Sequence, residues 1–435
     1  MELSKHNILS RVYNSEKYFI INLISGNADF ISEKEAGLIL NNSIPDDPDF
    51  IHKGYAVEPS EENKLFRRKY LDFIDARETD EVQLFFAPTY ECNFNCSYCY
   101  QDDYVNRRSE SRIAVTDAFF NYVNEHFAGR KKYVTLFGGE PLLSGNSNIE
   151  FITYFIEKCN QSQLELAIVT NGYNLTEYLP VISMAKIREV QVTLDGTETT
   201  HNLRRHLKDG TGTFSRIVDG IDSALGMEIP VNLRVVLDRE NIGTLPELAE
   251  FAYKRGWTTS SSFKTQLGRN YELHHCQSEQ SKLYSRIELY RDLYDLIQKY
   301  PVITEFHKPA YSVSKFLFEN GELPDPLFDS CPGCKTEWAF DYTGKIYSCT
   351  ATVGKAGEEL GSFYPDVMLN NEKVKAWQQR DVLSIPACRT CNVRLACGGG
   401  CASVAFNRDG NLNAPDCRPL KELMEMGIAL YKFEV

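Results

Sequence analysis

The sequence predicts a protein of the α/β class, in which strands and helices alternate along the middle of the chain. From residue 82 onward, apolar and β-branched segments recur, and the stretches between them carry apolar residues at helical spacing. The strand-like segments are VQLFFAP (82–88), YVTLFGG (133–139), LELAIVTNG (164–172), EVQVTLDG (189–196), VNLRVVLD (231–238) and SSSFKTQLG (260–268). Such alternation is typical of parallel βα units, which form an open doubly wound sheet or a barrel. Loops at the strand C-terminal ends would then carry the active site.

Length and composition indicate a globular protein of two or three compact units. The chain has 435 residues, of which 43% are hydrophobic and 25% are charged. Its net charge of -13 argues against nucleic acid or an anionic membrane as a partner. The sequence has no stretch of signal-peptide character and no run of about 18 apolar residues. We therefore expect a cytoplasmic protein.

The cysteines divide the chain into three parts. None precedes Cys92, three lie within the eight positions that start there, and eight more lie between Cys331 and Cys417. Two others, Cys159 and Cys276, fit no set and are expected to be buried or incidental thiols. Disulfides rarely persist in a reducing compartment, so thirteen cysteines favour metal or iron–sulfur ligation. The predicted units are an N-terminal module (1–80), a middle unit of alternating strands and helices (81–310) and a cysteine-dense C-terminal unit (311–435).

The N-terminal unit has the pattern of a small module of sheet and helices. Its predicted elements are a strand YFIINL (18–23), a turn Gly-Asn-Ala (26–28), a helix in ISEKEAGLILNN (31–42), capping acids in DDPDFIHKGY (46–55) and a helix in SEENKLFRRKYLDFIDAR (60–77). In the last of these, Leu65, Tyr70 and Phe73 recur at helical spacing. A module of this size offers little room for chemistry, so we expect it to bind a partner.

The segment TYECNFNCSYCYQ (89–101) follows the first barrel strand and contains three cysteines in the spacing C-x3-C-x2-C. Three thiolates, from Cys92, Cys96 and Cys99, can hold three irons of a cubane [4Fe–4S] cluster and leave the fourth iron without a protein ligand. An open iron can bind and activate a small molecule. Zinc is the alternative, and it would need a fourth Cys or His ligand from a distant part of the chain.

This motif, with Tyr98 directly before the third cysteine, resembles that of the radical S-adenosylmethionine (SAM) superfamily. The resemblance implies a partial (β/α)6 TIM barrel, in which SAM binds the open iron through its amino and carboxylate groups. It also implies that one electron cleaves SAM to methionine and a 5'-deoxyadenosyl radical, which abstracts a hydrogen from the substrate under anaerobic conditions. Tyr98 would contact the adenine side of SAM, with aromatic packing on the loop as the alternative.

The resemblance extends to the ends of other predicted strands. GGEP at 138–141 is similar to the motif whose backbone meets the SAM ammonium group, and TLDG at 193–196 retains a hydroxyl for the ribose or methionine part. Arg205 matches a SAM-contacting arginine of sulfatase-maturing relatives, and an ordinary surface arginine is the alternative. We interpret TNG at 170–172 as a turn rather than as part of the site. The implied SAM contacts are Tyr98, Gly138, Gly139, Glu140, Thr193 and Arg205.

The C-terminal cysteines follow the spacing C-x2-C-x14-C and then C-x2-C-x5-C-x3-C-x15-C. Together with a G-x4-C arrangement that starts at Gly344, this pattern resembles the SPASM domain of radical SAM enzymes, which carries two auxiliary [4Fe–4S] clusters. The resemblance assigns to the first cluster Cys331, Cys334, Cys349 and Cys401, and to the second Cys388, Cys391, Cys397 and Cys417. Complete ligand sets favour electron transfer over substrate ligation. Glycines 398–400 would let the backbone wrap a cluster closely.

The resemblance also bears on the substrate, since SPASM enzymes mostly modify peptides or proteins. Thr350 follows Cys349, where sulfatase maturases have an aspartate base, and this counts against their reaction. The N-terminal unit resembles instead the winged-helix-like leader-recognition domain of maturases that act on ribosomally made peptides. Residues 1–80 would bind the leader of a precursor peptide as an added strand. An external electron donor such as flavodoxin or ferredoxin would supply electrons.

We therefore predict a radical SAM enzyme with three [4Fe–4S] clusters that crosslinks its own precursor peptide. Hydrogen abstraction followed by loss of a second electron to an auxiliary cluster would form the bond, and a thioether is favoured. The alternatives are a carbon–carbon, cyclophane-type crosslink and a sulfatase-maturase-like oxidation. Epimerisation is less favoured because it needs no two-electron oxidation. The non-enzyme alternative is a metal-stabilised binding or redox-sensing scaffold.

Overall fold

The structure, a computed structural model of the chain, describes residues 1–99, 101, 112–270 and 282–432. Its strands are β1 (Glu2–Leu3), β2 (Asn7–Arg11), β3 (Tyr18–Asn22), β4 (Asn27–Ile31), β5 (Ala56–Val57), β6 (Val82–Ala87), β7 (Lys132–Leu136), β8 (Glu165–Thr170), β9 (Ile187–Thr193), β10 (Val231–Leu237), β11 (Phe263–Arg269), β12 (Glu337–Asp341), β13 (Lys345–Tyr347), β14 (Gly361–Ser362) and β15 (Met368–Leu369). Its α-helices are α1 (Glu33–Leu40), α2 (Pro48–His52), α3 (Pro59–Thr79), α4 (Arg112–His126), α5 (Asn146–Gln161), α6 (Leu175–Ile182), α7 (Glu198–Arg204), α8 (Phe214–Gly226), α9 (Leu245–Lys254), α10 (Arg286–Lys299), α11 (Val302–Phe306), α12 (Ser314–Asn320), α13 (Asn371–Gln378), α14 (Arg394–Cys397), α15 (Ala402–Asp409) and α16 (Leu420–Tyr431). Cys276, predicted to be an incidental thiol, lies outside the described residues.

A ten-stranded sheet forms the centre of the fold, in the order β11-β10-β9-β8-β7-β6-β12-β13-β14-β15. The strands from β6 to β11 are parallel, and they confirm all six strands that the sequence predicts for the barrel. On the other side of β6, β12 adds a further parallel strand, after which β13, β14 and β15 are antiparallel neighbours. The barrel sheet thus continues into the cysteine-dense part of the chain.

The two faces of the parallel strands meet different partners because side chains alternate along a strand. On the helix side, Phe86 of β6 packs against Phe119 of α4 and Phe155 of α5, with ring centroids 4.7 and 5.4 Å apart. On the opposite side, Ala87 belongs to a separate small cluster against which Phe85 packs. The helix side therefore holds the main core, and the other side lines the interior of the partial barrel.

Side-chain caps define where several helices begin. Ser32 precedes α1 and Ser285 precedes α10, and each serine accepts a hydrogen bond from the backbone N–H of a glutamate three residues later. The glutamate side chain bonds back to the serine N–H, so both backbone groups are satisfied. Asp47 caps α2 in the segment where the sequence predicts capping acids. None of the helices in the described part of the chain is long and apolar enough to cross a membrane.

The N-terminal unit contains an antiparallel sheet of β2, β3 and β4, next to α1, α2 and α3. The strand predicted at 18–23 and the helices predicted at 31–42 and 60–77 are confirmed as β3, α1 and α3. The predicted turn is wrong by a few residues, since Gly26 ends it with a φ of 76°. Asn27 then already belongs to β4, where it pairs with Asn22 of β3.

Helix α3 connects the N-terminal unit to the C-terminal unit through an aromatic contact. The rings of Phe66, Tyr70 and Phe73 surround Phe328, with centroids 5.3, 5.2 and 5.6 Å from it. The Tyr70 hydroxyl also donates to the Asp381 carboxylate at 2.8 Å. The predicted apolar face of this helix therefore packs, partly buried, against the cysteine-dense unit.

We expect Phe328→Ala to destabilise the protein by about 3–5 kcal/mol, because a fully buried ring is replaced by a cavity. Thermal unfolding would measure the loss, and limited proteolysis would show whether α3 separates from the C-terminal unit. Phe316→Ala is the matched control, since Phe316 is 40% exposed. Equal melting temperatures for the two variants would contradict this account of the contact.

Candidate active site

The three-cysteine loop that follows β6 lies directly on the glycine pair that follows β7. The N–H of Gly139 donates to the carbonyl of Thr89 at 3.1 Å, and the N–H of Glu140 donates to that of Glu91 at 2.7 Å. A Cβ atom on Gly139 would lie 2.1 Å from the Glu91 carbonyl oxygen. Gly138, with a φ of 123°, would place a Cβ 2.6 Å from the Thr89 carbonyl oxygen. Both positions therefore require glycine, and the GGEP segment supports the cysteine loop with its backbone.

Cys92, Cys96 and Cys99 form no disulfide and are partly accessible. Burial, with a smaller contribution from Cys99, raises the pKa of Cys92 to about 11 and that of Cys96 to about 12. The Cys92 sulfur accepts hydrogen bonds from the Phe94 N–H at 3.4 Å and from the Asn171 side-chain amide at 3.9 Å. Neighbouring thiols can supply the sulfur ligands of an iron–sulfur cluster. N–H groups that donate hydrogen bonds to those sulfurs also suit such a site.

Across the described residues, no three His, Cys, Asp or Glu side chains meet the geometry of a site for one metal ion. The fit of a cluster therefore rests on the donor chemistry of the thiols. Ligation requires thiolates, so cluster assembly would have to displace protons from Cys92 and Cys96.

The Glu140 side chain is buried and ties the GGEP segment to the end of β8. Burial raises its pKa, and its carboxylate accepts hydrogen bonds from the Thr170 hydroxyl at 2.7 Å and from the backbone N–H groups of Asn171 and Leu142 at 2.6 and 2.8 Å. The Asn171 side-chain amide donates to the Asn93 side chain at 2.8 Å. The interpretation of residues 170–172 as only a turn is therefore wrong. Gly172 does turn the chain, but Asn171 reaches the cysteine loop.

Asp195, which the sequence did not single out, links the cysteine loop to the ends of two strands. Its carboxylate is fully buried, accepts a hydrogen bond from the Val236 N–H at 2.8 Å and accepts another from the Tyr98 hydroxyl. The Arg204 side chain lies 3.6 Å from Asp195 and 2.9 Å from the carboxylate of Asp238. Two buried acids thus share one buried arginine, which balances part of their charge.

The predicted SAM contacts Tyr98, Thr193 and Arg205 lie around this network. Arg205 is 8% exposed, so it is not an ordinary surface arginine. Its guanidinium donates to the Tyr98 hydroxyl at 2.7 Å and lies 5.7 Å from the centre of the Phe94 ring. Burial lowers the pKa of Arg205, but the charges of Cys96, Tyr98 and Asp195 outweigh this effect and hold it well above its usual value.

These contacts restrict how the residues could meet SAM. Because protein groups occupy the Tyr98 hydroxyl, a contact with adenine would have to use its ring or backbone. Thr193 is the last residue of β9 and pairs with Arg234 of β10, and its side chain is largely buried. Since Val192 before it lies in the main core, strand alternation turns Thr193 toward the interior of the partial barrel.

The structure places the thiols of each predicted auxiliary set close enough to affect one another. Burial and the charges of Glu337, Cys331 and Cys401 raise the pKa of Cys349 well above its usual value. Burial and the charge of Cys331 also raise the pKa of Cys334. In the second set, burial and the charges of Cys397, Cys391 and Cys417 raise the pKa of Cys388 to about 11. Cys159 is fully buried in the core, as expected.

Two polar residues near the auxiliary sets were missed by the sequence analysis. The fully buried Arg380 donates to the carbonyls of Leu412, Gly400 and Gly399 at 2.6, 3.0 and 3.0 Å. The Glu337 carboxylate accepts a hydrogen bond from the Thr350 N–H at 3.0 Å, and burial raises its pKa to about 6. Neither residue belongs to a cysteine motif, so no spacing pointed to it.

A repeat of Leu-Asp at the ends of β9 and β10 was the one available signal for Asp195 and Asp238.

Residues 86–252 match the family described as the Radical SAM superfamily, so the chain contains a radical SAM domain. GTP 3',8-cyclase from Nautilia profundicola is 28% identical over 185 residues, which are 42% of this chain and 55% of the cyclase. The match thus spans about half the length of that relative. Mycofactocin maturase from Mycolicibacterium smegmatis is 23% identical over 336 residues, which are 75% of this chain and 80% of the maturase.

Two solved structures show the same fold. The protein anSMEcpe with bound AdoMet has a TM-score of 0.60 at 19% identity, over 81% of this chain and 98% of that one. Streptococcus suis SuiB bound to precursor peptide SuiA has a TM-score of 0.53 at 12% identity, over 96% of this chain and 99% of that one. The coarse part of the predicted fold class, a radical SAM α/β fold with a partial, barrel-like parallel sheet, is therefore confirmed, whereas the winged-helix-like and SPASM domains stay predictions.

Gly139→Ala should disrupt the support of the cysteine loop, because the added Cβ meets backbone atoms that cannot move aside. We expect the anaerobically reconstituted variant to contain less iron than the wild type, because a displaced loop would hold its cluster less well. Gly243→Ala is the matched control, since a Cβ there meets no atom within 4 Å. Unchanged iron content in Gly139→Ala would mean that the GGEP segment does not support the loop.

Proposed function

We propose that this chain is a radical SAM enzyme that modifies a ribosomally synthesised precursor peptide. The observation that carries the proposal is the loop of Cys92, Cys96 and Cys99, which offers three thiols at the C-terminal edge of a parallel sheet and rests on the GGEP backbone. The match of residues 86–252 to the radical SAM superfamily supports the same chemistry. The likeness to mycofactocin maturase and to SuiB, which was solved with a precursor peptide, supports a peptide as the substrate.

The family implies a [4Fe–4S] cluster and SAM, which Cys92, Cys96 and Cys99 and the six predicted contact residues would hold. When bound, the cluster and SAM supply a 5'-deoxyadenosyl radical that takes a hydrogen atom from the peptide. The chain itself positions the groups around that reaction. Arg205 provides a positive charge beside the cysteine loop, and Asp195 holds Tyr98 against it. Glu140 fixes the GGEP backbone so that its N–H and C=O groups keep their orientation.

The two C-terminal cysteine sets would hold two auxiliary [4Fe–4S] clusters, which makes three per chain. Each set has four thiols, so each cluster would be fully ligated and would accept an electron rather than bind the peptide. Loss of a second electron from the peptide permits net bond formation, and we favour a thioether. A carbon–carbon crosslink obeys the same electron balance and is the alternative product. An external donor such as flavodoxin or ferredoxin would supply the reducing electron.

A sulfatase-maturase-like oxidation is the second candidate function. The sequence has no aspartate directly after Cys349, but in the structure the carboxylate of Glu337 lies beside that position. Thr350 occupies the position of the aspartate base in those enzymes, but its N–H donates to the Glu337 carboxylate at 3.0 Å. Glu337 shares the inward face of the sheet with Gln83 of β6, its register partner. Mass spectrometry of the product separates the two candidates. A crosslink lowers the mass of the peptide by two hydrogens, whereas oxidation of a cysteine to an aldehyde replaces its thiol group.

The N-terminal unit would bind the leader of the precursor peptide. In the described part of the chain, β4 is an edge strand whose outer side has no neighbouring strand. An extended peptide can add to such an edge through backbone hydrogen bonds. The aromatic contact of α3 with Phe328 joins this module to the C-terminal unit, so a leader bound at β4 would keep the core of the peptide near the rest of the enzyme.

The three proposed clusters predict about 12 irons per chain after anaerobic reconstitution. With dithionite and SAM, the wild type should form 5'-deoxyadenosine. Cys96→Ala should lose about four irons and this activity, because it removes a ligand of the SAM-binding cluster. Cys391→Ala should lose a similar amount of iron and still form 5'-deoxyadenosine. Cys159→Ala, which changes a core thiol, is the control and should retain both.

A protein that takes up zinc and no iron would instead support the non-enzyme scaffold. Formation of 5'-deoxyadenosine by Cys96→Ala at the wild-type rate would overturn the assignment of the three-cysteine loop.

Leader binding can be tested with synthetic peptides from short reading frames beside the gene. A peptide that adds to β4 should slow hydrogen exchange of the Asn27–Ile31 amides, because new backbone hydrogen bonds protect them. The Phe263–Arg269 strand, β11, is the matched control because it is also an edge strand. Protection at β11 and none at β4 would place the peptide on the barrel and rule out the proposed leader site.

A further inference from the structure

Asp341 lies at the end of β12, where the barrel and the C-terminal unit share one sheet. It pairs in register with Ala87, the last residue of β6, and is 1% exposed. One residue later, the Tyr342 N–H donates to the Ala87 carbonyl at 2.9 Å. The two strands therefore run side by side to the same edge of the sheet, where β6 enters the three-cysteine loop and β12 turns into the antiparallel β13. From Ala87 the chain continues to Cys92, and from Asp341 it continues to Cys349.

The two oxygens of the Asp341 carboxylate have different partners. Oδ1 accepts hydrogen bonds from the Thr343 N–H at 3.0 Å, the Thr343 hydroxyl at 2.6 Å and the Lys345 N–H at 3.2 Å. These bonds close the turn between β12 and β13. Oδ2 accepts from the hydroxyl of Tyr90 at 2.6 Å and from that of Tyr347 at 3.2 Å. Oδ1 thus stabilises a local turn, whereas Oδ2 joins two residues that are 257 positions apart in the sequence.

The two tyrosines are placed symmetrically with respect to the predicted clusters. Tyr90 lies two residues before Cys92, and Tyr347 lies two residues before Cys349. Both rings are buried, and the Tyr90 ring also meets the edge of the Tyr342 ring at a centroid distance of 5.2 Å. One carboxylate oxygen therefore connects the three-cysteine loop to the end of β13, two residues before Cys349 of the first auxiliary set.

The charge of Asp341 adds a second property to this bridge. Among the described residues, the donors to this carboxylate are all neutral hydroxyl or backbone N–H groups. A buried negative charge that only neutral donors stabilise acts on its surroundings over a longer range than a charge in an ion pair. This charge should disfavour the addition of an electron to a nearby cluster and so lower the reduction potential of that cluster.

We propose that Asp341 is a positioning residue that fixes the SAM-binding loop and the first auxiliary loop relative to each other and sets the reduction potentials of both clusters. This inference rests on the proposed function, since it needs clusters at both sets of thiols. It assigns no role to the second auxiliary set, because the two tyrosines precede cysteines of the other two sets.

Asp341→Asn separates the bridge from the turn. The asparagine oxygen can still accept the bonds from Thr343 and Lys345, whereas its NH2 group replaces the oxygen that faces the two tyrosine hydroxyls. The variant should retain the wild-type iron content. In a redox titration followed by electron paramagnetic resonance, the potentials of the SAM-binding and first auxiliary clusters should shift to more positive values. The second auxiliary cluster should not shift.

Single tyrosine variants keep the proposal testable if Asp341→Asn fails to assemble. Tyr90→Phe should shift mainly the SAM-binding cluster, and Tyr347→Phe should shift mainly the first auxiliary cluster. Tyr55→Phe is the matched control, because its hydroxyl also donates to an aspartate, Asp29, at 2.6 Å but lies in the N-terminal unit. It should shift no potential.

The proposal is overturned if the tyrosine and aspartate variants assemble with all three potentials unchanged, or if the second auxiliary cluster shifts as much as the first. Iron content and 5'-deoxyadenosine formation by the wild type test the proposed function separately. A wild type that forms three clusters and cleaves SAM, with variants that leave the potentials unchanged, would reject only the role of Asp341.

Discussion

The parallel pairing of β12 with β6 is the interaction on which the arrangement of the sites depends. Strand β6 delivers the chain to the three-cysteine loop, and β12 ends beside it at Asp341, from which the antiparallel β13 leads on to Cys349. Because the two strands pair in register from Glu337 opposite Gln83 to Asp341 opposite Ala87, the three-cysteine loop and the turn between β12 and β13 leave the sheet at the same edge. In a parallel sheet this edge is where side chains and backbone ends converge. The pairing therefore brings together segments that are far apart in the sequence.

Around that edge, buried charges and hydrogen bonds fix the loops that carry the thiols. Asp195 and Asp238 share Arg204, Glu140 ties two loops together, and Arg205 holds Tyr98. Removing one partner from such a network leaves a buried charge without compensation, which costs several kcal/mol in typical proteins. The networks thus make the loops specific in geometry, in a region where a cluster and a cofactor need ligands at defined positions.

The N-terminal unit is attached to the C-terminal unit through α3 and β2. Its helix α3 buries an aromatic face against Phe328, and the main chain of Tyr13 bonds to Glu425 of α16 at 3.2 Å. The outer edge of β4 is left without a strand partner among the described residues. A module that is fixed on one side and open on the other can deliver a bound peptide to a neighbouring site without any new contact, because attachment raises its effective concentration there.

The sequence by itself determined the local features of this protein. The strand segments, the helix caps, the glycines of the GGEP segment and the spacing of the eleven predicted ligand cysteines depend on near neighbours, so each could be read from a short stretch. What only the tertiary structure decided are pairings between distant segments. No periodicity predicts that β12 joins β6, that α3 packs on Phe328, or that Asp341 meets both Tyr90 and Tyr347. The reason is physical: a local pattern records which face of an element is buried, but not which distant residue covers it.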